Sequence, residues 1–127
     1  MSIIIDDIAD FLEDQGLGTV GTNIFVGQQP DSPANCITVI DTGGQRPDID
    51  LPTKKPTFQV LVRNTDYATG AAKLVSVRNA LHNRYNETLV ENGNYFYSIN
   101  AITEGGHIGK DDIGNDEFSM NFEAWTR

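Results

Sequence analysis

An acidic segment near the end of the chain has residue types that could bind a metal ion. Asp111, Asp112, Asn115, Asp116 and Glu117 lie close together in the sequence, and calcium prefers carboxylate and amide oxygens. An EF-hand loop needs its ligands at alternate positions and a glycine at a fixed position, and this segment has neither feature. The pattern therefore favours a solvated acidic loop over a calcium site.

Histidine and cysteine residues lack the companions that catalysis or zinc binding would need. His82 and His107 belong to no H-E-x-x-H or C-x-x-C pattern, so we expect both at the surface. Cys36 is the single cysteine and lies in an apolar run, which predicts a small buried side chain and no intramolecular disulfide. A G-x-S-x-G elbow and a P-loop are also missing from the sequence. We predict a protein that is not an enzyme and that has no cofactor and no metal.

A glycine pattern in residues 16–21, GLGTVG, matches the dinucleotide-binding pattern G-x-G-x-x-G. That pattern needs a strand before it and a helix after it. Here a predicted helix ends at Gly16 and a strand-like segment follows. The context therefore disfavours a nucleotide site.

Residues 56–85 are the unit around which the rest of the chain is organised. Residues 57–63 alternate between apolar and mixed side chains, which is typical of a strand. A cluster of capping residues, Asn64, Thr65 and Asp66, then precedes a proline-free run that extends to Tyr85 with one apolar stripe. The pattern predicts a strand followed by a helix that packs on a sheet. Together with the closing strand, this unit supplies the predicted core: Phe58, Val60, Val62, Leu74, Leu81, Phe118 and Phe122.

The remaining elements complete a small sheet. An amphipathic helix ends near Gly16, and residues 23–28 and 36–42 suggest two neighbouring antiparallel strands. A hairpin is expected around Asn92 and Gly93, and residues 117–125 alternate clearly. The sequence thus predicts one domain over residues 1–127 of the α+β class. Its mainly antiparallel (mixed) sheet would have about five strands, with two helices packed on one face.

Two long glycine-rich segments are candidates for contacts with other subunits. Residues 43–55 and 104–116 are predicted to be loops, and loops of this length are commonly functional. The first could equally be a passive excursion between strands. The candidate interface residues are Arg46, Asp48, Ile49, Asp50, Leu51, Lys54, Lys55, His107 and Lys110.

The net charge of -9 limits the possible partners. Nucleic acids and anionic membranes attract clustered lysine and arginine, so general binding to either is disfavoured. The first residues, MSIIIDD, contain no basic segment and no apolar run of the length that a signal peptide or membrane span requires. We expect a protein that is made and used in a cytoplasm.

Several stretches, in this order, resemble the minor capsid and tail terminator (tail completion) proteins of long-tailed bacteriophages. They are the opening helix with GLG and NIFVGQQPDSP, the run CITVIDTGG, the strand TFQVLVRNTDY with its helix, and the ending HIGKDDIGNDEFSMNFEAW. The resemblance implies a virion protein that forms a homo-oligomeric ring, typically a hexamer, at the head-proximal end of the tail tube. Such a ring ends tube polymerisation and receives the head-neck completion proteins, while DNA passes through without specific binding.

The resemblance supplies no catalytic residues and leaves alternatives open. Relatives often carry a basic residue in the glycine-rich ending, whereas Lys110 is followed here by IGND, so no contact residue is transferred from that loop. A tail-tube or head-tail neck adaptor protein would have a similar fold and a different stacking partner. A small metal-dependent enzyme is a more remote alternative, since it would need clustered ligands.

Overall fold

Two α-helices and seven β-strands follow one another within the part of the chain that the structure describes. The computed structural model describes residues 4–44, 54–91 and 93–126. The elements are α1 (Ile4–Asp14), β1 (Ile24–Val26), β2 (Cys36–Gly44), β3 (Pro56–Asn64), α2 (Tyr67–Leu81), β4 (Arg84–Thr88), β5 (Tyr95–Ala101), β6 (Gly106–Lys110) and β7 (Asp116–Thr126).

All strands belong to one sheet, with the order β1-β2-β3-β7-β5-β4. The closing strand β7 is central: it pairs with β3 along one edge, and its other edge is shared by β6 and β5. Every pairing between these strands is antiparallel except that of β1 with β2. The predicted α+β class with a mainly antiparallel sheet is confirmed, and the sheet has seven strands where the sequence suggested about five.

One additional strand, β6, lies inside the segment predicted to be a loop. Its glycines, Gly106 and Gly109, have no side chains that could show alternation, so its pattern is invisible in the sequence. Its place in the sheet depends instead on backbone hydrogen bonds to β7, in a register that pairs Gly106 with Ser119. The prediction of a loop throughout residues 104–116 was therefore wrong.

The pairing of β1 with β2 is parallel, so the predicted antiparallel arrangement was also wrong. Ile24 pairs with Ile37, and Val26 pairs with Val39. A parallel pair requires the chain to return to the starting end of the first strand. Since β1 has only 3 residues, that return covers roughly 10 Å, and the connection through residues 27–35 is long enough to span it.

Capping residues fix the end of α1 and the start of α2. At the end of α1, Gly16 has φ +80°, and the N–H groups of Gly16 and Leu17 donate to the carbonyls of Glu13 and Leu12, forming a Schellman motif. Asp66 caps α2 by accepting a hydrogen bond from the Thr69 N–H at 3.0 Å.

Helix α2 ends four residues before the predicted limit at Tyr85, because His82 and Asn83 leave the helical conformation. His82 is extended, and Asn83 has φ 66°, a conformation that asparagine tolerates. The ring of His82 accepts a hydrogen bond from the Ala101 N–H at 3.0 Å, which ties this turn to β5. His82 is accordingly half-buried and is not the surface residue that the sequence suggested.

The hydrophobic core lies between the two helices and one face of the sheet. Side chains of α1, α2 and alternate residues of β3 and β7 form a single buried cluster. The rings of Phe58 and Phe122 stack at its centre, with centroids 5.1 Å apart. Among the described residues, no helix has the length and apolar character needed to cross a membrane.

Candidate interaction surfaces

The predicted functional residues fall into three groups in the structure. Phe58, Val60, Val62, Leu74, Leu81, Phe118 and Phe122 lie in the core cluster. Of the predicted interface residues, Arg46, Asp48, Ile49, Asp50 and Leu51 lie outside the described residues. The others are Lys54, Lys55, His107 and Lys110, which are exposed and occupy two separate regions of the sheet.

His107 and Lys110 converge on one carboxylate at the start of β7. His107 Nε2 and Lys110 Nζ each lie 3.0 Å from Asp116 Oδ1, and the Asp116 side chain is only 6% exposed. The hydrogen bond from Lys110 is the largest influence on the pKa of Asp116; with the contribution of His107, it outweighs burial and lowers that pKa below its ordinary range. The pair therefore holds β6 against β7.

The His107 ring also belongs to an aromatic group. Its centroid lies 5.1 Å from that of Tyr67 and 5.2 Å from that of Phe118. Tyr67, the first residue of α2, is largely exposed. Its ring packs against that of Phe118 at the edge of the core, with centroids 5.3 Å apart.

The second face of the sheet has no helix packed on it among the described residues, and we call it the helix-free face. Its side chains alternate with the core residues of β3 and β7 and are mostly half-buried. They are Gln59, Leu61 and Arg63 on β3, and Glu117, Ser119, Asn121, Glu123 and Trp125 on β7. The face is therefore polar with isolated apolar groups, and its two ends differ in charge.

At one end of the helix-free face lies a cleft of about 410 Å³, which we call the acidic cleft. It is lined by Gln29, Asp31, Arg63, Asp111, Asp112, Ile113 and Glu117. Arg63 is buried beneath the loop before β2, where its guanidinium donates to the carbonyls of Pro33 at 2.7 Å and Ala34 at 3.1 Å. The sequence analysis did not identify this role of Arg63. The signal that could have indicated it is an arginine at the end of a strand, on the face away from the core.

The turn between β6 and β7 shapes the rim of the acidic cleft. Burial acts to raise the pKa of Asp111, but hydrogen bonds from Asn115 and Ile113 outweigh it, and the pKa is lowered. Asp111 is thus an ionised carboxylate that accepts hydrogen bonds from Ile113 and Asn115 in its own turn. Ile113, at the tip of the turn, is 77% exposed.

At the opposite end lies a cluster of three rings and a lysine, which we call the aromatic patch. Trp125 is 40% exposed, and its ring centroid lies 5.1 Å from that of Tyr97, which in turn lies 5.2 Å from that of Tyr95. Lys55 Nζ lies 6.0 Å from the centroid of the Trp125 ring. The backbone of Lys54 pairs with that of Thr126 through two 2.8 Å hydrogen bonds, so the Lys54 side chain lies on the core side of the sheet and not in the patch.

The described residues contain no metal cluster, and the glycine-rich segment has a structural role. Within residues 4–44, 54–91 and 93–126, no group of three or more His, Cys, Asp or Glu side chains could hold a metal ion. In the G-x-G-x-x-G segment, Gly16 ends α1, and a Cβ on Gly18 would lie 2.6 Å from Asn23 Oδ1. The geometry of the turn between α1 and β1 therefore explains why Gly16 and Gly18 are glycines. The arrangement as a whole offers charged and aromatic groups for contacts with proteins.

Comparison with known proteins identifies a family to which the sequence matches. The model of the family described as "Bacteriophage tail terminator protein" matches residues 11–126. No match was found among curated proteins.

A solved chain from the virion of a native gene transfer agent (GTA) particle has a similar fold. It is 15% identical to this protein with a TM-score of 0.66, and the alignment covers 97% of this chain and 93% of that chain. At such low identity the likeness concerns the fold. The family match over nearly the whole chain carries the assignment: this chain belongs to the bacteriophage tail terminator protein family and is a structural protein of a phage-like tail.

Proposed function

We propose that this protein assembles into a homo-oligomeric ring, a hexamer, at the head-proximal end of a tail tube. The ring ends polymerisation of the tube protein and provides the docking surface for the head-neck completion proteins. The observation that carries this proposal is the tail terminator family match over residues 11–126. In this role residues 1–127 act as a single domain.

The exposed surfaces of the chain support such an assembly. A ring of identical subunits needs two different surfaces on each subunit, because its contacts are heterologous. The helix-free face provides two chemically distinct ends, the acidic cleft and the aromatic patch. The loop predicted for residues 43–55 is shorter in the structure, because Gly43 and Gly44 belong to β2 and Lys54 pairs with Thr126. We propose that residues 45–53 form an arm that adds a further contact, with Arg46, Asp48, Ile49, Asp50 and Leu51 contributing to it.

The negative charge of the chain suits a ring through which DNA passes. The net charge is -9, and surfaces of one sign repel polyanions of the same sign. A ring built from such subunits would let DNA move through the opening without specific binding.

Tail length is the property that tests this function. Particles that lack the protein should carry tails longer than the normal length, because nothing stops addition of tube subunits, and they should fail to join heads. Electron microscopy of particles with and without a plasmid-borne copy of the gene measures both effects. Tails of normal length in its absence would rule out the terminator role, and long filaments of the purified protein would instead support a tail-tube protein.

A further inference from the structure

A second cleft, of about 210 Å³, lies where the end of α1 and the starts of β2 and α2 meet the end of β3, and we call it the amide pocket. Three asparagine side chains belong to its lining, and none of the described residues that line it has a carboxylate. Asp66, the cap of α2, is close in sequence, but its carboxylate accepts from the N–H and hydroxyl groups of Thr69 and does not line the pocket. On a chain with net charge -9, this cleft is a local exception.

The oxygen of each of these asparagine amides is already held by a backbone N–H group. The three pairs are the Thr19 N–H with Asn23 Oδ1 at 2.6 Å, the Thr65 N–H with Asn35 Oδ1 at 2.9 Å, and the Asp66 N–H with Asn64 Oδ1 at 2.9 Å. A backbone N–H group can only donate, so its partner must be the amide oxygen, which fixes the orientation of each amide. The NH2 group of each amide is therefore left for a ligand.

The three NH2 groups have no acceptor within the described residues 4–44, 54–91 and 93–126. The hydrogen bonds of these side chains are those that their oxygens accept. Asn64 is only 6% exposed, its Nδ2 atom keeps some accessible surface, and the amide pocket is the cavity that it lines. A donor that is largely closed off from solvent is costly to leave without an acceptor. An acceptor bound in the pocket would remove that cost.

Two positive charges belong to the same lining. Lys73 Nζ lies 3.3 Å from the carbonyl oxygen of Leu17, which also lines the pocket, so the ammonium group is at the pocket wall and has further N–H donors to offer. Arg63 is 5% exposed, and its guanidinium is held by the carbonyls of Pro33 and Ala34. Neither cation has an ion-pair partner among the described residues. The pocket is therefore rich in donors and positively charged.

We infer that the amide pocket binds a small oxyanion, a phosphate or carboxylate group. Lysine, arginine and asparagine side chains are groups that donate to such oxygens, and hydrogen bonds to an ionised acceptor are the stronger ones. A phosphate has more acceptor oxygens than a carboxylate and can meet more of these donors at once, so we expect it to bind more tightly. This site goes beyond the proposed ring and does not depend on it.

Titration of the full-length protein with inorganic phosphate at constant ionic strength, followed by 15N–1H NMR, tests the pocket. The side-chain NH2 signals of Asn23, Asn35 and Asn64 should shift together and saturate. Acetate is the probe for a carboxylate. Saturation at a lower concentration of phosphate than of acetate identifies a phosphate group as the preferred ligand, and the reverse order identifies a carboxylate; both results support the oxyanion pocket.

Variants that each make the net charge more negative by one unit locate the site. Asn64→Asp keeps an oxygen for the Asp66 N–H and replaces the NH2 donor by a negative oxygen, so the Kd for phosphate should rise by on the order of tenfold or more. Lys73→Gln removes a positive charge from the lining and should also raise the Kd. The matched control is Asn79→Asp, on an exposed residue of α2 outside the pocket. It should leave the Kd nearly unchanged, because solvent and salt screen an exposed charge.

Two outcomes would overturn this inference. One is a set of NH2 signals that does not shift with either anion. The other is an equal loss of affinity for Lys73→Gln and Asn79→Asp, which would make the binding a general charge effect. The NMR spectra show which variants are folded, and Lys73→Gln keeps the comparison decisive even where Asn64→Asp does not fold. The proposed ring is tested separately, by tail length.

Discussion

At the scale of single residues, two predicted interface residues, His107 and Lys110, have a structural role around Asp116. The sequence suggested His107 and Lys110 as interface residues because they lie in a glycine-rich segment. In the structure both face the Asp116 carboxylate within the same chain. Any contribution they make to a subunit contact must therefore be compatible with this cluster.

The Asp116 carboxylate should make stability depend on pH. Its folded pKa is below the ordinary value of 3.8, so its contribution is complete above that value and is lost as the pH falls through the folded pKa. The difference in melting temperature between the wild type and Asp116→Asn should be largest near neutral pH and should shrink as the pH falls below 3.8 and through the folded pKa. A difference that stays constant with pH would show that geometry, not charge, is responsible.

Gly70 is a glycine whose replacement should destabilise a helix. Alanine normally stabilises a helix interior by about 1 kcal/mol relative to glycine. A Cβ at position 70, however, would lie 2.5 Å from the Phe118 ring, and overpacking of this kind costs about 1–3 kcal/mol. Gly70→Ala should therefore lower the free energy of unfolding measured by urea denaturation.

The matched control is Gly106→Ala. A Cβ there meets nothing within 4 Å, and the change should stay within about 0.5 kcal/mol of the wild type. An increase in stability for Gly70→Ala would show that α2 lies farther from β7 than the structure indicates.

At the scale of elements, the packing of α2 on β3 and β7 should dominate stability. Leu74 on the helix and Phe58 on β3 are both buried in the core cluster, so truncation of either to alanine should cost about 2–5 kcal/mol. Val75, next to Leu74 in the helix, is 54% exposed, and Val75→Ala should cost well under 1 kcal/mol. Equal losses for Leu74→Ala and Val75→Ala would mean that the faces of α2 are assigned wrongly.

The segment before β3 belongs to assembly in our proposal and contributes little to the fold. Replacement of residues 47–53 by a short Gly-Ser linker keeps Lys54 and its backbone pair with Thr126. Thermal stability should change little, since loop-closure entropy varies slowly with length. The variant should nevertheless fail to complement particles that lack the protein.

Two results would contradict this role of the arm. Unfolding of the variant would make residues 47–53 part of the fold. Full complementation with tails of normal length would make the segment a passive connection.

At the scale of the whole molecule, the proposal predicts weak self-association in solution and strong association on a tube. Exposed charged ends give contacts that salt screens, because the Debye length is about 8 Å at physiological ionic strength. Native mass spectrometry at increasing protein concentration should show oligomers whose population falls as salt is added. With isolated tail tubes present, a closed ring of one size should appear.

Local patterns in the sequence determined the fold class and the family. Alternation in β3 and β7 and the capping residue Asp66 are encoded by neighbouring residues, because side-chain period and hydrogen bonds to nearby N–H groups are local properties. The same locality explains why the predicted core residues of β3, α2 and β7 occupy one buried cluster. The order of such segments also carried the resemblance to tail terminators.

Only the tertiary structure decided the features that depend on distant residues. The strand β6 has no side-chain alternation and exists through backbone pairing with β7, and the parallel pairing of β1 depends on how the chain returns through residues 27–35. The acidic cleft joins Asp31, Arg63 and Asp112 from three separate segments. The aromatic patch likewise joins Lys55, Tyr97 and Trp125. Sheet register brings these groups together, and register is a property of the whole sheet that no local pattern encodes.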